Sequence, residues 1–321
     1  MRLIVTLGVL LGLLLAAPAQ ATLVYVKRPS AARPAVWAAA DDGSDRRRLG
    51  SGRNPVVSDD GRWAAWVAPG PREQVMLARA DGSGRPRSVG RSAAVGTLRF
   101  SPDSTQLGMV LRSRLMVHDV PTRTTFHAAT GTIRGFSFSP DSRSVVYGTS
   151  GRDDALDAPS DLYAIEFDAG PRRRVTRDRK SLNPLWGPGG IVHDRQRPRP
   201  GDAPSYNLFE IQPDGGSLRR ITTLRIPSQV SGLVPIEQSA DGSRLLAEFS
   251  GQDTRVPFRV NPSTGRARVV DRDLVGFDLT GDGRTVLGHT LGTRPDVVTV
   301  PYGGGEPTVL VRRAAFPDWS L

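Results

Sequence analysis

An apolar, strand-like segment that runs into a turn recurs seven times along the 321-residue chain. The turns contain Asp42 and Gly43, Asp81 and Gly82, Asp119 and Pro121, Asp168 and Gly170, Asp214 and Gly215, Asn261 and Gly265, and Gly303 and Gly304. Successive copies are roughly 40 to 50 residues apart, the range for repeats that each form one four-stranded blade of a β-propeller. The repeat therefore predicts an all-β ring in which every blade packs against its neighbours.

A second series of turns alternates with the first. Its complete copies are residues 58–61, 101–104, 139–142, 187–190, 239–242 and 280–283. In most of them Ser or Thr, then Pro or another residue, then Asp and finally Gly or Ser suit the four positions of a type I turn. A seventh copy is split, because the chain ends at the start of such a turn and the strand 23–26 should follow it. We predict seven blades, in preference to six or eight, closed by pairing of the N- and C-terminal strands.

The first 21 residues have the composition of a secretory signal. Arg2 precedes an apolar run over residues 3–15, and Ala19-Gln20-Ala21 is a small-residue cleavage site. The run is short for a membrane span, which needs about 20 residues, so we expect cleavage after Ala21, with a retained anchor as the alternative. Because the chain has no Cys, lipoprotein acylation, disulfides and thiolate metal sites are excluded. Residues 22–321 are expected to form one secreted or periplasmic propeller domain with no stable membrane span.

The formal net charge is +11, which raises the question of nucleic-acid binding. Nearly all of the positive charge is Arg, and these residues are scattered through every repeat instead of forming one stripe. We therefore predict no nucleic-acid partner and interpret the charge as compatible with an anionic envelope surface or polymer. The expected partner is an envelope protein or an anionic envelope polymer, and the protein is expected to be a monomer.

Two repeats carry extra polar residues between their second and third predicted strands, at 150–161 and 193–205. Equivalent connections of a propeller emerge on one face, so these insertions should lie side by side on one rim. One is acidic and the other basic, and long polar loops on a rigid scaffold are frequent binding sites. The predicted binding residues are Asp153, Asp154, Asp157, Asp161, Arg195, Arg197 and Arg199. The alternative is that the two loops are solvated and pair only with each other.

The repeats resemble the TolB-like β-propeller family. The resemblance is carried by residues 100–103, 138–141, 186–188, 213–222 and 318–320, and it covers essentially all of residues 22–321. It implies an exported propeller that serves as a protein-binding scaffold. TolB itself looks like an α/β domain followed by six blades, whereas strands begin here directly after the signal and seven repeats can be counted. The resemblance therefore does not carry over TolB's own partner.

Motifs for chemistry are sparse. A serine hydrolase would need a G-x-S-x-G turn, and the sequence has none. The four histidines, His118, His127, His193 and His289, have no metal-ligand spacing. We predict no catalytic, cofactor-binding or metal-binding residues and a non-catalytic scaffold. The alternative is an enzyme or small-ligand binder that uses the central channel, for instance a lyase for an anionic sugar that relies on His193 and His289.

Overall fold

The computed structural model describes residues 22–155, 157–167, 170–199, 202–227, 230–251 and 255–320, and in these residues it contains strands and turns but no α-helix. Residues 1–21, the predicted signal, lie outside the described part of the chain, as does Asp168. Within that part no helix is long and apolar enough to cross a membrane.

The described strands form seven four-stranded antiparallel units, which we number as blades one to seven. Blades one and two contain β1 (Thr22–Lys27), β2 (Ala35–Ala40), β3 (Arg47–Ser51), β4 (Arg53–Val57), β5 (Trp63–Ala68), β6 (Glu73–Arg79) and β7 (Arg87–Ser92). Blades three and four contain β8 (Val95–Phe100), β9 (Gln106–Leu111), β10 (Arg114–Asp119), β11 (Thr125–Thr130), β12 (Ile133–Phe138), β13 (Ser144–Thr149), β14 (Asp161–Glu166) and β15 (Arg173–Arg174). Blades five and six contain β16 (Ser181–Gly187), β17 (Gly190–Arg199), β18 (Asp202–Ile211), β19 (Arg219–Arg220), β20 (Val230–Gln238), β21 (Leu245–Gly251), β22 (Arg255–Val260) and β23 (Ala267–Val269). Blade seven contains β24 (Leu274–Leu279), β25 (Thr285–Thr290), β26 (Val297–Pro301) and β27 (Thr308–Val311), and β28 (Ala314–Trp319) completes blade one.

Blade one joins the two ends of the chain. Its strand order is β28-β1-β2-β3, and Leu23 and Val24 lie opposite Trp319 and Asp318 in the antiparallel pair. The backbone N–H of Ser320 donates to the carbonyl of Thr22 (3.0 Å), and the N–H of Thr22 donates to Ser320 Oγ (2.9 Å). The predicted closure by the terminal strands is confirmed. Blades five and six differ in being linked by a single parallel bridge between Tyr206 and Gly232.

The core of the protein is divided among the interfaces between blades. Seven buried apolar clusters lie in the described residues, and each joins two neighbouring blades. Gly108 shows how close the packing is, because a Cβ at this position would overlap the rings of Phe136 and Phe138 in the next blade. Second strands such as β5 and β13 are buried on both sides, which explains their continuous apolar runs.

The turns between first and second strands have the predicted geometry. In the turn that begins at Ser101, the N–H of Ser104 donates to the carbonyl of Ser101 (2.8 Å), and Ser101 Oγ donates to Asp103 (2.6 Å). The side chain of Ser104 also accepts a bond from the N–H of Asp60 in blade two (3.0 Å). The turns therefore stabilise their own backbone and also connect neighbouring blades.

Arginines on the third or fourth strand of four blades make a further connection. Arg47, Arg173, Arg219 and Arg259 each donate to a backbone carbonyl in the turn of the following blade. We call these contacts the arginine clasps. They use the charged side chain as a hydrogen-bond donor without an acidic partner in the neighbouring blade.

The antiparallel order gives the ring two distinct faces. First-to-second and third-to-fourth strand turns emerge on one face, which we call the turn face. Second-to-third connections, including residues 150–160 and the end of the β17–β18 hairpin, emerge on the opposite face, which we call the insertion face.

Candidate functional site

The innermost strands of the blades surround a central cavity of about 1020 Å³. Part of its wall is aromatic, formed by Phe100, Phe138, Trp186, Phe277, Phe316 and Trp319. Phe316 adopts a positive φ of 52°, a strained conformation for a bulky residue, and its ring contacts Phe277 (5.8 Å between centroids). A concave, partly aromatic cavity of this size is suited to ligand binding.

One sequence position recurs in the wall of this cavity in every blade. The position lies two residues before the first residue of the first-to-second turn, near the end of the innermost strand. From blade one to blade seven it holds Asp318, Val56, Arg99, Ser137, Leu185, Glu237 and Asp278, all of which line the cavity. We call these residues the channel ring. Three consecutive blades, six, seven and one, contribute carboxylates to it.

Asp59, in the first turn of blade two, adds a fourth carboxylate to the cavity wall. The guanidinium of Arg99 lies among these groups, 3.4 Å from Glu237 and 3.2 Å from the carbonyl of Ile236. Asp318 accepts a bond from the N–H of Val57 (2.7 Å). The channel ring together with Asp59 therefore places four carboxylates against Arg99 on the turn-face side of the cavity. Two further arginines belong to the wall, and each has its own acidic partner: Arg53 pairs with Glu73 (2.7 Å) and Arg255 with Glu248 (3.2 Å).

The pKa values of these carboxyls reflect their surroundings. Burial and the negative charge of Glu237 raise the pKa of Asp59 to about 6, although its side chain is accessible from the cavity. Burial first, and then the charges of Asp318 and Glu237, raise the pKa of Asp278 well above its usual value. Burial also raises the pKa of Asp318, while Arg99 opposes the shift. A cation that entered the cavity would favour the ionised forms of all three.

The seven residues predicted on the rim do not form one exposed surface in the structure. Asp153, Asp154, Asp157 and Arg197 have exposed side chains on the insertion face. The predicted basic loop at 193–205 is instead mostly an extended hairpin, in which Arg197 lies opposite Ser205 in β17 and β18, and residues 200–201 lie outside the described part. The interpretation of this segment as a loop was therefore wrong, because its polar residues continue the strand pairing.

Asp161 is a structural residue. Its side chain is buried and pairs with Arg174 (2.5 Å), and it also accepts bonds from Thr176 Oγ1 and from the N–H of Arg179, each at 3.0 Å. These contacts hold β14 to the outer segment of blade four. The sequence could not distinguish Asp161 from the three exposed aspartates that precede it.

Arg195 and Arg199 are also engaged within the protein. Arg195 forms an ion pair with Asp178 (2.6 Å) and lies over the ring of Phe209 (5.1 Å). Arg199 donates to the carbonyls of Ile226 and Pro227, each at 2.8 Å, and so connects blade five to the segment before blade six. Of the predicted basic cluster, only Arg197 remains exposed.

The histidines do not meet in the cavity. None of the four, all of which lie in described residues, belongs to its wall. His193 is fully buried in blade five and stacks on Phe209 (6.2 Å between centroids), whereas His289 contacts Phe277 and Phe316 in the region of blades seven and one. Burial lowers the pKa of His193 to about 4. Within the described residues, no group of three His, Cys, Asp or Glu is placed to hold a metal ion.

The comparisons with known proteins agree on the fold. No protein-family model matches this sequence, and no curated protein sequence matches it. Among solved structures, the chain is similar to TolB from Acinetobacter baumannii, with 16% identity, a TM-score of 0.56, and coverage of 93% of this chain and 82% of TolB. It is also similar to an oligogalacturonate lyase in complex with manganese, with 15% identity, a TM-score of 0.62 and coverage of 92% and 86%.

A third similar structure is the β-propeller domain of the Trilobed protease from Pyrococcus furiosus, with 13% identity, a TM-score of 0.65 and coverage of 92% of this chain and 95% of that domain. That domain is described as having an open velcro topology, whereas β1 and β28 pair in the present chain. These structures come from TolB, a lyase and a protease, and at this level of identity they show architecture alone. The chain has a TolB-like β-propeller fold.

Proposed function

We propose that the protein is an exported, non-catalytic binding propeller that receives a positively charged group of an envelope protein in its central cavity. The observation that carries the proposal is the channel ring, in which Glu237, Asp278 and Asp318 come from consecutive blades and Arg99 is the only cation. A basic side chain or an N-terminal amine would gain charge-assisted hydrogen bonds there. The aromatic wall would contact the apolar part of such a group.

The charge of the cavity also favours a protein over an anionic polymer as its occupant. A chain of carboxylates or phosphates would meet the four acidic groups of the turn-face side with only Arg99 to oppose them, because the other two arginines of the described wall, Arg53 and Arg255, already pair with Glu73 and Glu248. This argument counts against the sequence-based alternative of a lyase for an anionic sugar. Support for export comes from the composition of residues 1–21.

Cation binding should depend on pH, because the raised pKa values leave part of the carboxyl population protonated near neutrality. A bound cation favours the ionised forms, so binding releases protons and should become tighter as the pH rises from 6 to 8.

The test is calorimetric titration of residues 22–321 with trilysine and, separately, with triglutamate at equal ionic strength. Trilysine should bind, and Glu237→Gln combined with Asp278→Asn should weaken it by about tenfold or more. Asp153→Asn combined with Asp154→Asn is the matched control, since it removes two carboxylates from the opposite face. Equal binding of the two peptides, or equal loss in both double variants, would contradict the proposal.

The exposed rim residues Asp153, Asp154, Asp157 and Arg197 remain a second proposed contact surface. They lie on the insertion face, away from the carboxylates of the channel ring. A large partner could contact the rim while a different segment of the same envelope complex occupied the cavity. The rim double variant, if it loses an envelope partner that the cavity variant retains, would assign recognition to this surface.

A second candidate function, an enzyme in the cavity, is favoured by one observation. Asp278 and Asp318 interact with each other, and both have raised pKa values, as general acids often do. Such an enzyme should lose turnover in Asp278→Asn while its affinity for the ligand is retained. A pure binding protein should instead lose affinity and show no turnover of the ligand.

A further inference from the structure

A second pocket, of about 240 Å³, lies on the turn face between blades six and seven. Four arginines from blade six, Arg244, Arg259, Arg266 and Arg268, line it, together with Tyr302 from blade seven. No carboxylate belongs to its described wall. The pocket therefore differs from the central cavity in both position and charge.

The arginines are brought together by the strand register. Arg259 and Arg268 lie directly opposite each other in β22 and β23. The corresponding positions in blade five hold Glu210 and Arg219, whose side chains form an ion pair at 2.6 Å. Like charges directly opposite each other destabilise a sheet, so blade six has repulsion where blade five has attraction. The arrangement does not stabilise the fold by itself, and an anion in the pocket would compensate the charge.

Two of the arginines are fixed by contacts that leave their charge uncompensated. Arg259 donates to the carbonyls of Tyr302 and Gly303, and Arg244 donates to the carbonyl of Gly283 (2.9 Å). Tyr302 is itself held, since its hydroxyl donates to the carbonyl of Val260 (2.9 Å). The wall of the pocket is thus ordered before any ligand arrives, which lowers the entropic cost of binding.

The other two arginines are free to engage a ligand. The side chains of Arg266 and Arg268 are exposed, and in the described part of the chain neither forms an ion pair or a side-chain hydrogen bond. Guanidinium groups match phosphate oxygens with paired, charge-assisted hydrogen bonds.

We propose that this pocket binds a phosphate group, either as inorganic phosphate or as the phosphate monoester of a small molecule. The volume is small compared with the central cavity, which favours a compact anion over a folded partner. The site is independent of the cationic-ligand function proposed for the cavity, because the two share no lining residue.

Thermal unfolding of residues 22–321 tests this site with inorganic phosphate and glycerol 3-phosphate, each compared with chloride at the same ionic strength. A ligand that binds only the folded protein raises Tm in a saturable way. We expect this rise with phosphate and its loss in Arg266→Gln combined with Arg268→Gln. A matched control, Arg85→Gln combined with Arg294→Gln, removes two exposed arginines that do not line the pocket and should keep the response.

The two phosphate compounds distinguish the source of the group. Tighter binding of glycerol 3-phosphate indicates a monoester ligand, and equal or weaker binding indicates inorganic phosphate. The proposal is wrong if chloride produces the same rise in Tm, or if the pocket variant responds to phosphate like the control.

Arg268→Glu provides a variant that separates folding from binding. It places a carboxylate opposite Arg259, as Glu210 lies opposite Arg219 in blade five. Without phosphate its Tm should exceed that of the parent protein, because repulsion is replaced by attraction. Its phosphate response should be abolished, and a retained response would overturn the assignment.

Discussion

Arg99 of blade three meets Glu237 of blade six across the central cavity, with 3.4 Å between Nη1 and Oε2. Blades three and six are not neighbours in the ring, so this contact joins opposite parts of the wall. Arg99 also lowers the pKa values of Asp59, Asp278 and Asp318, which are otherwise raised by burial. The positive charge of Arg99 thus lowers the free-energy cost of ionising these buried carboxyl groups.

Replacing Arg99 with Gln should therefore destabilise the protein in a pH-dependent way. Carboxyls whose folded pKa exceeds the unfolded value cost stability as the pH rises above the unfolded pKa, and loss of Arg99 raises the folded values further. We expect a loss of about 1 kcal/mol at pH 8, modest because the side chain is partly exposed, and a smaller loss at pH 4. Urea unfolding at the two pH values measures it. An equal loss at both would show that Arg99 acts through packing instead of charge.

Asp194 should limit stability at high pH. Its side chain is 1% exposed, Oδ1 has no partner, and Oδ2 accepts one bond from Asn183 (3.1 Å). Burial raises the pKa of Asp194 to about 7, so the folded protein loses stability as the pH rises from about 4 towards 7. Asp194→Asn should raise the free energy of unfolding by about 1–3 kcal/mol at pH 8 and change it little at pH 4. Denaturant unfolding between pH 4 and pH 8 measures the difference. If the free energy of unfolding of the variant showed the same pH dependence as that of the parent, Asp194 would not be the cause.

Substitution of Asp161 should destabilise the protein far more than substitution of its exposed neighbours Asp153 and Asp154. Asp161→Ala leaves Thr176 Oγ1 and the N–H of Arg179 without their buried acceptor and removes the ion pair of the partly exposed Arg174, and should cost about 1–3 kcal/mol. Asp153→Asn and Asp154→Asn should change stability by less than about 0.5 kcal/mol, because both side chains are exposed. Thermal unfolding of the variants provides the comparison. Similar losses in all of them would mean that the acidic loop is a single structural unit.

The pairing of β28 with β1, which we call the seam, should matter most for the stability of the ring. A chain that lacks residues 314–321 leaves β1 as an exposed edge and removes the buried residues Ala314 and Ala315, so we expect loss of cooperative unfolding and aggregation. Ser320→Ala removes one hydrogen bond to Thr22 and should cost about 1 kcal/mol. Circular dichroism during heating records both effects. A truncated chain that unfolded like the parent would show that the seam adds little.

The repeat predicted the architecture because turns and strands depend on local chemistry. Ser101 and Asp103 stabilise their own turn, and the spacing between such turns is set by four strands per blade. Closure was also predictable, since residues 318–320 read as the beginning of a turn. The turns, the blade repeat and the closure were therefore predicted correctly because each is determined by a few residues that are close together in the sequence.

The site was harder to predict because it depends on convergence around the ring. Glu237, Asp278 and Asp318 are far apart in sequence, and each looks like an ordinary polar residue near the end of a strand. A usable signal existed, namely the position two residues before each turn, but its orientation towards the cavity is apparent only in the structure. Asp161 and Arg195 were grouped with the exposed rim residues for the opposite reason, since both look like loop residues in the sequence and are paired within the structure.

The arginine clasps offer a structural reason for part of the net positive charge of this protein. Arg47, Arg173 and Arg259 donate to neutral carbonyls of the next blade, and Arg219 does so in addition to its ion pair with Glu210. This part of the positive charge therefore serves to join the blades. The isoelectric point of this chain therefore partly reflects how its blades are joined, and it is a poor guide to the charge of the ligands that the protein binds.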